Sequence, residues 1–226
     1  MPKNNHGVLK RKTPFAGNAR LVFQVVALLI FAGVLAVPVV VVATSESFGA
    51  SATFTSLRML SLLAFSLIFI SIVTGAFRPF FNRIFKPKTA QRLHVGIGLA
   101  GFLLGLSHGL TVTVYGFAGY NAFIISIGPT VLALLVLTML IAFYRRRFKD
   151  SWRWIHRINY LIFGAVFTHA VILGFDVRYG VFLKIIFGIY AGIVVVGSIF
   201  RYSTLRSLKL AAERRAIINR QTGSQE

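Results

Sequence analysis

Six long apolar segments, divided by short connections, set what this chain can fold into. They run over residues 21–43, 54–76, 94–116, 122–144, 155–176 and 181–200. A bilayer's hydrocarbon core is about 30 Å thick and takes roughly 20 helical residues to cross. Within that core the backbone must satisfy its own hydrogen bonds, so each segment is predicted to be a helix. The predicted fold is an all-α integral membrane protein, a six-transmembrane-helix bundle. The domain reading is a basic tail at 1–20, a transmembrane domain at 21–203 and a second basic tail at 204–226. Tails of that size are expected to be too short for a soluble catalytic domain.

The charges support the same division. The chain has 25 Lys and Arg against five acidic residues, Glu46, Asp150, Asp176, Glu213 and Glu226, for a formal net charge of +20. Twenty-two of the basic residues fall in four clusters. These are Lys3, Lys10, Arg11, Lys12 and Arg20; Arg78, Arg83, Lys86, Lys88 and Arg92; Arg145, Arg146, Arg147, Lys149, Arg153 and Arg157; and Arg201, Arg206, Lys209, Arg214, Arg215 and Arg220. Six spans put all four clusters on one side and leave only Arg58, Arg178 and Lys184 on the other. A five- or seven-span reading would break that pattern. Positive clusters stay cytosolic, so both termini are expected in the cytosol, with the plasma (inner) membrane as the location. The lipid bilayer is the first expected partner, and nucleic acid is not expected. Charged residues make up 13% of the chain, about half the usual share for a soluble protein, which excludes an ordinary soluble enzyme. With no cysteine, disulfide scaffolds, Cys-ligated zinc, iron–sulfur clusters and thioether-linked haem are also excluded. The first apolar run exceeds a signal peptide's usual stretch of about 7–15 residues, so it reads as an uncleaved span.

Four of the five histidines lie in spans 3 and 5; the fifth, His6, is in the polar tail. Ionisable residues within a span are costly and are functional candidates by default. His94 and His108 are fourteen residues apart, a helical rise of about 21 Å. His156 and His169 are thirteen apart on a span entering from the same side. His94 therefore matches His156 in depth, and His108 matches His169. Two imidazoles at one depth on two helices can clamp an iron from both faces, and the chain offers two such levels. Two stacked bis-histidine haems, inside a helix bundle, are the economical explanation.

Gly98, Gly101 and Gly105 share a helix face with His94 and His108. They leave room for a flat macrocycle, or equally for close helix packing. In span 5 an ideal helix turns by about 220° between the two histidines. A kink, a π-bulge or a slanted haem is therefore expected, with Gly164 and its neighbours as the candidate irregularity. Arg92, Arg153 and Arg157 flank the inner histidines and are candidate partners for haem propionates, or simply positive-inside charge. Arg58 opens span 2 on the charge-poor side, where it could meet an outer propionate, an anionic acceptor or only the interface. Arg178 and Lys184 share that ambiguity. Trp152 and Trp154 suit interfacial anchoring. Gly96–Gly101 matches the dinucleotide spacing G-x-G-x-x-G, but it lies inside a span with no preceding strand and is rejected. No Asp or Glu sits deep in a span, which disfavours a cation-coupled transporter or pump. The basic segment 204–226 suits a short surface helix or a solvated tail.

Arg92-Leu93-His94 with His108, followed by Trp152-Arg153-Trp154-Ile155-His156-Arg157 with His169, resembles the ferric reductase-like transmembrane domain. That superfamily includes eukaryotic ferric reductases, the membrane core of NADPH oxidases and the haem subunit of the bacterial methionine sulfoxide reductase system. The resemblance covers about residues 54–200. It implies a bundle holding b-type haem, with His94 paired to His156 near the cytosol and His108 to His169 near the outside. It further implies outward electron transfer as the membrane component of an oxidoreductase. The flavin and NADPH domain that follows the last span in the full-length reductases has no counterpart among these residues. The donor is then expected to be a separate protein or a quinone, with flavin present only if a partner helps to bind it. The acceptor at the outer face stays open, a periplasmic reductase being one alternative. A non-redox six-span transporter or scaffold, and a metal transporter using the histidines as ligands, are the competing classes.

Overall fold

The computed structural model describes residues 18–49, 51–115, 122–149 and 151–222. Among these the chain is helical throughout: α1 (Asn18–Ala43), α2 (Ala52–Ala76), α3 (Arg78–Ile84), α4 (Pro87–Tyr115), α5 (Ala122–Phe143), α6 (Ser151–His156), α7 (Asn159–Leu173), α8 (Phe175–Tyr179) and α9 (Val181–Thr222). Six stretches are long and apolar enough to cross a membrane: α1, α2, α4, Ile125–Phe143 of α5, Ser151–Leu173 spanning α6 and α7, and Val181–Ile217 of α9. The six expected spans are all present. Leu29, Val114, Leu161 and Phe182 are among many large apolar side chains left exposed, as a lipid-facing surface requires. His6, Lys3, Lys10, Arg11 and Lys12 lie outside the described residues.

The bundle is built around α2. It is the most enclosed span, with half of its apolar window buried, and it carries apolar or small residues on every side. One face supplies Phe65 and Phe69, which pack into an aromatic core. Phe65 stacks 4.1 Å from Phe187 and 4.9 Å from Phe163, and Phe69 stacks 4.1 Å from Tyr190. This ties α2 to α7 and α9. Offset stacking of this kind adds about 1 kcal/mol per pair beyond simple burial. The other face of α2 meets α4 along most of its length.

Several boundaries differ from the expected ones. Arg20 is helical rather than part of a tail: its Nε donates to the Ile84 carbonyl at 2.8 Å, and Gln24 donates to the same oxygen. Those bonds satisfy a carbonyl at the end of α3, which helix geometry leaves unpaired. α4 starts at Pro87, ahead of the apolar run, because Ala90 and Leu93 pack on Phe81, Ile84 and Phe85. α9 continues well beyond residue 200. Its extension is rich in Ala, Leu, Arg and Lys, contains no Gly or Pro before Gly223, and carries the i,i+4 pair Lys209–Glu213 at 3.8 Å.

The expected break in span 5 exists, but not at Gly164. It falls at Arg157 and Ile158, directly after His156. There the backbone switches to i→i−3 bonds: Arg157 to Trp154 at 3.1 Å, Ile158 to Ile155 at 2.9 Å and Tyr160 to Arg157 at 3.1 Å. Gly164 sits inside an uninterrupted α7. Each 3₁₀ residue turns about 120° instead of about 100°. The extra rotation carries His156 and His169 toward a common face, which an ideal helix would not give.

Candidate functional site

The four histidines arise from α4 and from the broken span α6–α7, and all four rings are half-buried. The first expected pair meets: His94 and His156 have ring centroids 6.1 Å apart with planes at 87°. His108 and His169 lie further along the same two helices, with the charge of His108 in range of the His169 ring. α4 leans mainly on α2, while α7 leans on α5 and α9. His94 and His156 therefore face one another between two separately anchored helices.

The surroundings of the first pair decide which nitrogen is presented. His94 Nδ1 lies 2.9 Å from the Ser71 carbonyl, which can only accept. Nδ1 therefore carries the proton, and Nε2 keeps its lone pair. On the other side His156 Nδ1 lies 3.1 Å from the Asn159 carboxamide. That carboxamide also meets Thr138 Oγ1 at 2.9 Å, and Thr138 meets the Leu135 carbonyl at 3.0 Å. Asn159 Oδ1 accepts from Thr138 Oγ1, and Asn159 Nδ2 donates to His156 Nδ1. His156 Nδ1 is thus an acceptor, unlike Nδ1 of His94. Exchanging the amide's oxygen and nitrogen would make His156 an Nδ1–H donor with Nε2 free, the form in which metal-binding histidines are usually held.

The second pair differs. Nδ1 of His108 and Nδ1 of His169 are buried without a hydrogen-bond partner among the described residues. The Leu57 carbonyl lies beside the His108 ring without reaching hydrogen-bond geometry at Nδ1. An unpaired buried polar atom costs about 1–3 kcal/mol. Two such atoms on the paired helices call for a partner beyond the described side chains.

These residues fit a bis-histidine haem. An iron with two axial imidazoles, each nitrogen about 2 Å from the metal, sets ring centroids about 6 Å apart. The separation of His94 and His156 matches that spacing. Among the described residues no group of three or more His, Asp or Glu converges as a bare metal ion's site would need. A haem iron asks the protein for only two axial ligands.

The glycine stripe serves packing. A Cβ on Gly98 would fall 2.8 Å from Ser71 Oγ, and one on Gly101 would fall 3.0 Å from Leu67 Cβ and 3.1 Å from the Ile68 backbone nitrogen. Gly98 and Gly101 thus let α4 approach α2, and Gly105 lies more loosely against Ala64 at 3.8 Å. Two glycines outside the stripe touch the histidines instead. A Cβ on Gly75 would come 3.1 Å from His94 Cε1, and one on Gly128 would come 3.0 Å from His169 Cε1. The sequence reading passed over both, although Gly128 stands beside Pro129 at a break in an apolar run.

Arg58 is not free for a propionate or an acceptor. It is 4% exposed and forms a buried ion pair with Asp176. Its Nε donates to Asp176 at 2.9 Å, and its remaining nitrogens reach Ser47 Oγ at 2.7 Å and Ser45 Oγ at 2.9 Å. Phe54 and Phe175 flank the guanidinium at 5.4 and 5.5 Å. Arg58 therefore clasps α2 to α8 and to the turn after α1, in which Gly49 takes φ +82°. At the basic end, Arg153 lies over the Trp152 ring at 5.8 Å, and that ring sits 5.9 Å from His156. Arg92 is exposed near His94, and Arg157 turns toward α9. Trp154 is 72% exposed, as an interfacial anchor would be. No protein-family model, curated protein or solved structure matches this chain.

Proposed function

We propose that this chain is a b-type haem electron-transfer protein of the membrane, the membrane component of an oxidoreductase resembling the ferric reductase-like domain. The observation that carries this reading is the meeting of His94 and His156, with rings 6.1 Å apart and Nδ1 of each held by a neighbouring group. A second pair of histidines, His108 and His169, lies further along the same helices, with both Nδ1 atoms buried and unpaired among the described residues.

Haem b supplies a one-electron ferric–ferrous couple when bound. His94 and His156 would hold one group, and His108 and His169 a second. The Ser71 carbonyl keeps the proton on His94 Nδ1, fixes that ring's plane and raises the basicity of its Nε2, and the Asn159 carboxamide holds the His156 ring in place. Gly75 and Gly128 let the His94 and His169 rings lie against α2 and α5. Arg92 and Arg153 lend positive charge at the first level, while Arg157 turns toward α9. With the basic end in the cytosol of a plasma (inner) membrane, electrons would enter from a separate donor protein or a quinone and leave at the opposite face.

A reduced-minus-oxidised optical spectrum of the detergent-purified chain, with haem stoichiometry by pyridine haemochrome, tests this. Low-spin b-type bands at near two haems per chain are expected. One haem would favour the single-haem relatives that serve a periplasmic reductase such as methionine sulfoxide reductase. Folded protein that stays free of haem when haem is abundant would overturn the reading.

A further inference from the structure

We infer that the recess between α7 and α9 at the basic end binds a phosphoryl group, that of an anionic lipid headgroup in the membrane. This goes beyond the electron-transfer reading, and neither depends on the other. The recess has a volume of about 340 Å³ and is lined by Arg157, Tyr160, Ser198, Arg201 and Tyr202, with Ile199 and Leu205 as apolar walls. A third guanidinium adjoins it. Phe77 stacks on Phe200 at 5.4 Å and occupies the space beside Gly197, which brings Arg78 within electrostatic range of Arg201.

Arg157 and Arg201 both line the recess, the charge of Arg78 reaches Arg201, and none of the three has a carboxylate partner among the described residues. The two ion pairs found there are Arg58–Asp176 and Lys209–Glu213, both elsewhere. Like charges gathered without a counter-ion repel, so the cluster is most stable with an anion between them. The side chains turned on the recess are chiefly hydrogen-bond donors: guanidinium N–H and phenol O–H. A group with several acceptor oxygens suits them, and arginine's planar fork matches phosphate best. The apolar walls and the position at the end of two spans suit a headgroup whose acyl chains run down the lipid-facing surface of α9.

The same donors would take a soluble phosphate, so the test has two arms. In the first, the full chain is released from vesicles of phosphatidylglycerol and phosphatidylcholine and its retained lipid is counted by native mass spectrometry. Wild type is expected to keep phosphatidylglycerol preferentially. R157K/R201K retains the net charge but loses the forks, and about a tenfold loss of that preference is expected. R214Q/R215Q removes two exposed charges further along α9 and is expected to keep it. In the second arm inorganic pyrophosphate is added: failure to displace the lipid assigns the site to headgroups, and displacement assigns it to phosphoryl groups from solution as well. Equal retention by wild type and R157K/R201K, or a loss that follows charge number alone, overturns the proposal. Helicity and thermal midpoint are measured for each variant, and R201K alone serves if the double variant does not fold.

Discussion

At the scale of single residues, two side chains do work that their neighbours in sequence do not announce. Asn159 bridges His156 and Thr138, accepting from Thr138 through Oδ1 and reaching His156 Nδ1 through Nδ2. Groups in that position typically affect metal affinity by about 10–100-fold. N159A is therefore expected to weaken haem binding at the first pair by about that factor, read by haem titration, while T138V gives a smaller loss because the amide keeps its contact with His156. Arg58 is the other case. Its partner Asp176 lies 118 residues away and is 7% exposed. D176N leaves a buried guanidinium without its counter-charge, which costs about 3–5 kcal/mol. The expected result is a clear drop in the thermal unfolding midpoint in detergent. A midpoint equal to wild type would show that the pair adds nothing to stability.

At the scale of helices, the contact between α2 and α4 sets where His94 and His108 point. Gly101 is buried against Leu67 and the Ile68 backbone, which cannot retreat, whereas Gly105 has ordinary van der Waals room. G101A is expected to destabilise by about 1–3 kcal/mol, the usual range for overpacking, and G105A to change little. Thermal midpoints of the two variants side by side check the contrast. The span α6–α7 carries the second geometric decision. Its 3₁₀ turn after His156 adds rotation that an ideal helix lacks, and that turn stands beside exposed Arg153, Trp154 and Arg157 rather than in the buried core.

For the whole molecule, the arrangement follows from where charge can sit. The chain has no cysteine, so single introduced thiols report topology cleanly. Tyr179 is 68% exposed at one end of the bundle, and Lys209 is exposed beyond the other. With the basic end in the cytosol, Y179C is expected to react with a membrane-impermeant maleimide on intact cells and K209C only after permeabilisation. The reverse pattern would invert the proposed direction of electron flow. Haem content is expected to fall by about half in H94A or H156A and likewise in H108A or H169A, since each substitution removes one ligand of one pair. The residual spectra should identify the two levels separately.

The sequence alone determined the six apolar helices, the segregation of basic residues and the approach of His94 to His156. Those properties follow from bilayer thickness and helical rise, which act locally along the chain. It also supplied the expectation of an irregular span 5, because rotation per residue is a local quantity. Tertiary structure decided the rest. The break settled at Arg157 and Ile158 rather than Gly164, since glycine permits a bend and packing chooses where one occurs. Gly98 and Gly101 serve the α2 contact, while Gly75 and Gly128 meet the rings, a distinction that depends on which helix lies opposite. Arg58 found Asp176, and His156 found Asn159 and Thr138, through neighbours that only the assembled bundle brings together. A side chain's position is written in the chain, but its partner is set by the packing of other helices around it.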